Sequence, residues 1–225
     1  MSIEQKFILT GDLNFMGLGD AKHVFERIRS ELCAADAVIS NLECCFFADE
    51  SKANNQSCTG HFYERSGQRE GFYAHPAAVK ALKSANITMV GNANNTNFGD
   101  EAIRSTISVL NDQQIAFSGV GTNWEEACKP ALKTIHGIRV GLIQRTSVYW
   151  PSNHEASALH PGVATVKIHT AYSPKIDGYA SNRPGTPPDI FTWVDSKYLK
   201  DLVTQIPKLR ESTDILIASF HWGYK

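Results

Sequence analysis

A chain of 225 residues with 42% hydrophobic and 20% charged residues has the composition of an ordinary globular protein and is long enough for one sizeable α/β core. Its formal net charge of −1 offers no electrostatic footprint for nucleic acid or for an anionic membrane. It leaves a small anionic substrate open, because a local cation outweighs the mean charge.

Five cysteines, Cys33, Cys44, Cys45, Cys58 and Cys128, show no CxxC spacing, and their odd count argues against a disulfide framework. Reduced thiols in a cytoplasmic compartment are the expectation. Met1 to Lys6 runs straight into a strand with no charged-then-apolar leader, so no signal peptide is expected. No apolar run approaches the ~18–20 residues of a spanning helix, so no membrane segment is expected.

In chain order, Lys6 to Thr10 reads as a strand stopping at Gly11-Asp12. Val24, Ile28 and Leu32 recur at helical spacing and predict a helix over about residues 20–35. Asp36 to Ser40 is the second strand. Residues 46–75 are polar and read as a long loop. Pro76 opens a short helix through Ala85, and Ile87 to Val90 is the third strand. Ile103, Ile107 and Leu110 mark a helix over Glu101 to Leu110, followed by a short strand at Ile115 to Ser118. Trp124 to Cys128 forms one helical turn. Ala131 to Ile135 and Ile138 to Ile143 flank His136-Gly137 as a hairpin. Residues 146–190 hold six of the nine prolines and read as a second long surface segment. Helical patterning resumes from Trp193 to Leu209, and Asp214 to Phe220 is the last strand.

Polar cargo sits at the C-terminal ends of these strands, where open α/β sheets gather ligands and catalytic groups. Asp12 can bind a divalent cation through a hard oxygen, or it is a turn or N-cap residue. Asn41 and Glu43 are two apart and share a face if extended. Glu43 can bind metal and Asn41 can hold a backbone or ligand group; alternatively Glu43 is a solvated strand end. Cys44 and Cys45 read as small buried residues rather than zinc ligands. Asn92, Asn94, Asn95 and Asn97 are neutral oxygen donors or simply turn formers. His221, in His221-Trp222-Gly223 after the last strand, is the sharpest candidate for a metal ligand or acid–base group. The alternative is a histidine satisfied by hydrogen bonds at the sheet rim.

Gly11-Asp12, Asn41-Leu42-Glu43, the Gly91-to-Gly99 loop, Gly119-Val120-Gly121-Thr122-Asn123 with Glu126, Ala127 and Pro130, and His221-Trp222-Gly223 together resemble the CapA family. These are capsule or poly-γ-glutamate biosynthesis proteins related to the calcineurin-like metallophosphoesterases. The resemblance spans nearly the whole chain in order. It implies a single CapA-like metallophosphatase domain over residues 1–225, a layered αββα sandwich of metallophosphoesterase type that is incomplete at its C-terminus. It implies divalent cations (manganese, zinc or iron) and a small anionic or polymeric substrate, with a further chain as a candidate to complete the sheet.

By position, the resemblance makes Asp12, Glu43, Asn92 and His221 the metal set. It gives His221 and Asn94 catalytic places and makes Asn41 and Asn97 substrate-binding. The third motif departs from the family's Gly-Asn-Asn-His, which an Asp follows three residues later. Phe98-Gly99 sets the register, so Ala93 stands at the second Asn, Asn94 at the His and Asn97 at the Asp. An amide at 94 cannot deliver a proton as imidazolium does. The enzyme reading, a metal-dependent phosphoester hydrolase, therefore stands beside a second one, a binding or scaffold module that kept the fold.

Overall fold

Apolar runs buried on both faces, such as Ala37–Leu42 and Ile87–Gly91, build two facing sheets. The computed structural model describes residues 4–16, 18, 21–48, 73–150, 154–175 and 185–223. The first half of the chain supplies β1 (Phe7–Leu13), α1 (Arg29–Cys33), β2 (Ala37–Leu42), β3 (Cys45–Phe46) and β4 (Tyr73–Ala74). A 3-10 turn at Pro76–Ala78 leads into α2 (Val79–Ser84), then β5 (Ile87–Gly91), α3 (Asp100–Asp112), β6 (Ala116–Ser118) and β7 (Val120–Gly121). The second half supplies α4 (Trp124–Ala127), β8 (Ala131–Ile135), β9 (Ile138–Thr146) and β10 (Gly162–Val163). It closes with β11 (Ile168–Ser173), β12 (Asp189–Val194), α5 (Ser196–Ser212) and β13 (Ile215–His221).

The fold is α/β with a parallel sheet. That sheet has the order β1-β2-β5-β6, and a second sheet has the order β13-β9-β8, with β13 parallel to β9. On β2, Val38 and Leu42 point into a core shared with Leu32 of α1, Leu82 of α2 and Leu110 of α3. Ala37 and Ile39 point the other way, against Ala131, Val140 and Leu142 of the second sheet. Ile143 and Leu216 on the far side of that sheet meet Leu202 and Leu209 of α5. The layers therefore run helices, sheet, sheet, helix. Each fully buried aliphatic side chain in these seams contributes about 1.5–3 kcal/mol.

Two bulges interrupt the alternation. Ile8 and Leu9 pair with Val38 and Ile39, but Asp12 pairs with Asn41, so β1 carries one extra residue at Thr10-Gly11. Likewise Ile87 and Met89 pair with Val38 and Ile39, leaving Thr88 extra in β5. Bulges re-aim side chains near sites. Without the first, Gly11 would oppose Asn41 and Asp12 would turn toward the helices.

Several sequence expectations need correction. The helix expected over 20–35 is confined to Arg29–Cys33, and residues 22–28 are successive turns closed by bonds such as Ile28 N to Phe25 O at 3.0 Å. The apolar period does not mark the inward face there: Phe25 is buried, whereas Val24 and Ile28 are 44% and 49% exposed. The stretch 146–190 is not all surface. His154, Val163, Ala164 and Thr165 are buried, β10 pairs with β7, and β11 pairs with β12 as an antiparallel ribbon. Residues 49–72, most of the other expected loop, lie outside the described residues, as do 151–153 and 176–184. Trp193 is a strand residue opposite His169.

Helix α5 begins later because Asp195 caps it, its Oδ1 accepting from Lys197 N at 2.9 Å. Asp195→Ala is expected to lower stability by about 1 kcal/mol in urea unfolding. The hairpin falls where His136-Gly137 places it, both residues having positive φ (46° and 87°) as a two-residue turn of this hand requires. Among the described residues no helix is long and apolar enough to cross a membrane. Cys33, Cys44, Cys45 and Cys128 are free thiols, and burial pushes Cys44 and Cys45 up to about 12.

Candidate metal centre

Asp12 leaves the bulge of β1 on the face turned toward the second sheet. Glu43 follows β2, with its N–H donating to Leu13 O at 2.8 Å. His221 is the last residue of β13. Both sheets thus contribute to one spot, and one ligand atom from each of Asp12, Glu43 and His221 lies within 4.8 Å of the others. His221 Nδ1 is 3.9 Å from Asp12 Oδ1, and its Nε2 is 3.4 Å from Glu43 Oε1. The Asp12 side chain is 53% exposed, against 19% for Glu43 and 14% for His221. The cluster is therefore open on the Asp12 side. Two carboxylates and an imidazole are the donor types that suit manganese, zinc or iron, so these residues fit a divalent cation.

Amides surround the cluster. Asn41 Nδ2 donates to Asp12 Oδ1 at 2.6 Å and lies 3.3 Å from His221 Nδ1. Asn95 Oδ1 lies 2.8 Å from His221 Nε2. Asn94 is fully buried: its Nδ2 donates to Asn41 Oδ1 (3.1 Å) and Leu42 O (2.8 Å). Its Oδ1 accepts from Thr96 N, Thr96 Oγ1 and Asn97 N. Asn97 is buried as well and donates to Leu42 O and Asn92 O. Asn92 is fully buried, and neither atom of its amide has a hydrogen-bond partner among the described residues. Ala93, also fully buried, brings no donor side chain.

The structure therefore brings Asp12, Glu43, His221 and Asn41 into contact range. Asn94 and Asn97 are held in the loop beneath, with their amides engaged by that loop and by β2. Two neighbours are not singled out by the sequence. Asn95 sat among residues read as turn formers, and its distinguishing feature, a side chain directed at His221, is tertiary. Gln144 Nε2 donates to Asn41 Oδ1 at 3.0 Å and its Oε1 accepts from Ala93 N at 2.6 Å. The only sequence signal for Gln144 was a polar residue directly after the apolar run that ends at Ile143.

Comparison with known proteins adds two findings. Residues 5–225 match the family described as bacterial capsule synthesis protein PGA_cap. The chain is also 22% identical over 161 residues to the capsule biosynthesis protein CapA of Bacillus anthracis. That match covers 68% of this chain and 37% of the relative, so the chain spans well under half of that protein's length.

Proposed function

We propose that this chain, which belongs to the bacterial capsule synthesis protein family PGA_cap, holds a divalent cation between Asp12, Glu43 and His221 and acts as a hydrolase on a phosphoester-type linkage in cell-surface polymer assembly. The observation that carries the reading is the convergence of three ligand-type atoms within 4.8 Å from two different sheets. When bound, such a cation supplies Lewis-acid chemistry toward a phosphoryl oxygen. The protein's own part is orientation: Asn41 steadies the exposed Asp12 carboxylate, and Asn95 holds the His221 ring. We read the helix–sheet–sheet–helix layering as the sandwich of the metallophosphoesterases. The role in capsule or poly-γ-glutamate synthesis rests on family membership and on the similarity to CapA. Free thiols at four cysteines support placing it in the cytoplasm.

A second reading, a binding or scaffold module, is favoured by the third motif. Ala93 offers no ligand, Asn94 is buried with its amide engaged, and the described residues contain no second cluster of three His, Cys, Asp or Glu.

Calorimetric titration with manganese tests the cation. Binding is expected in the wild type, and Asp12→Ala or His221→Ala is expected to weaken it at least about tenfold. A folded wild type that takes up no manganese at millimolar concentration would sink the proposal. Turnover of a generic phosphoester by the loaded wild type would then remove the scaffold reading. Inertness, with activity gained by the Ala93→Asn, Asn94→His double variant, would favour it.

A further inference from the structure

We infer that Gln144 is a positioning residue that sets which nitrogen of His221 carries the proton. Several groups around the ring have fixed hydrogen-bonding roles. The backbone N–H of Ala93 can only donate, so the amide atom it meets at 2.6 Å is the oxygen of Gln144. Gln144 Nε2 must then face Asn41, and only the oxygen of Asn41 can receive it, at 3.0 Å. A second anchor gives the same answer. The backbone N–H groups of Thr96 and Asn97 take Asn94 Oδ1, which turns Asn94 Nδ2 toward Leu42 O and Asn41 Oδ1.

Asn41 is thereby oriented with Nδ2 toward the site, where it donates to Asp12 Oδ1 and stands 3.3 Å from His221 Nδ1. A donor facing Nδ1 requires a lone pair there. Nε2 then carries the proton and donates to Asn95 Oδ1 at 2.8 Å. The unprotonated nitrogen is thus the one on the Asp12 side of the ring, 3.9 Å from Asp12 Oδ1.

The backbone is shaped for this amide. A Cβ on Gly91 would lie 2.3 Å from both Cδ and Oε1 of Gln144 and 2.6 Å from its Nε2. Gly91 pairs with Asn41 in the first sheet, so the missing side chain is the space in which Gln144 crosses from the second sheet. Gln144 is 1% exposed, and its Nε2 also reaches Ser219 Oγ on β13 at 3.3 Å. An amide so enclosed cannot turn over without breaking bonds to β2, β13 and the loop after β5.

The test is a long-range proton–nitrogen spectrum of metal-free, 15N-histidine-labelled protein at mildly alkaline pH, with His221 assigned by its loss in His221→Gln. In the wild type Nδ1 should read as wholly unprotonated, whereas a solvated neutral imidazole populates both forms. A measurable Nδ1–H fraction would overturn the inference. In Gln144→Glu the group facing Asn41 can only accept, so Asn41 keeps only the Asn94 donor on its oxygen and a measurable Nδ1–H fraction is expected. A folded Gln144→Glu protein that keeps the wild-type form would also overturn it. Should that variant not fold, Asn41→Asp removes the donor one link nearer and should likewise place a proton on Nδ1; an unchanged spectrum there counts against the inference equally. A purely structural role for Gln144 would move stability but not the tautomer. The spectra are recorded without metal, so their outcome is separate from that of the manganese titration.

Discussion

Acidification from pH 6.5 to 4 is expected to remove about 3 kcal/mol of stability through His154 alone. The ring is wholly buried, packed edge-on against Phe98 at 5.6 Å and Tyr149 at 6.5 Å. Its Nδ1 accepts from Trp150 N at 2.9 Å. Burial pushes its pKa from 6.5 to about 4, with the backbone of Asn97 and Asn94 partly offsetting the effect. Between these values the unfolded chain binds the proton and the folded protein does not. Stability from this group is therefore complete above pH 6.5, declines as pH falls and is gone below about 4. Asp214, held down to about 2 by Arg139, acts only below its ordinary value of 3.8 and does not overlap this window. Urea unfolding of wild type and His154→Asn across pH 4–7 checks this, since Asn keeps an acceptor for Trp150 N but does not titrate. The gap between the two proteins should shrink steadily with acid; parallel curves would refute the assignment.

Gly162→Ala and Gly121→Ala are expected to cost about 4 kcal/mol or more each, enough to unfold many domains. The two glycines face one another across β7 and β10. A Cβ on Gly162 would stand 2.4 Å from Ala156 N and 2.6 Å from His154 O, and one on Gly121 would stand 2.1 Å from Ala127 N. These are backbone atoms, tied down by bonds such as Val163 N to His154 O at 2.9 Å and Ala127 N to Asn123 O at 3.0 Å. No rotamer change relieves the overlap. Gly11→Ala is the control, because a Cβ there meets nothing within 4 Å, and its effect should stay within about 0.5 kcal/mol. Urea midpoints for Gly162→Ala and Gly11→Ala that coincide would show that the close approach carries no weight.

Much of the first sheet was legible because buried parallel strands leave long apolar runs, as in Ala37–Leu42 and Ile87–Gly91, and polar residues mark where they stop. The hairpin was legible because His136-Gly137 is chemically a turn. What escaped was set by contacts far apart in sequence. Phe25 rather than Val24 faces inward because the chain between Ala21 and Arg29 turns rather than coils. The proline-rich stretch hides Val163 against Val120 of β7 and His154 against Phe98 and Tyr149, which no local pattern reveals. Asp12 could be picked as a strand-tip acid, but the extra residue that swings it beside Asn41 exists only in the pairing with β2. Asn95 could not be told from the other amides of its loop and Gln144 carried no signal of its own, since an amide becomes informative only when its partners are known.

Asp12 and Glu43 hang from one sheet and His221 from the other, so whatever the three hold together also acts as a clasp between the layers at that end. Occupancy should then be readable from heat resistance alone. A ligand at a hundredfold its dissociation constant adds about 2.7 kcal/mol to the folded state, which lets a melting curve screen cations before any substrate is known.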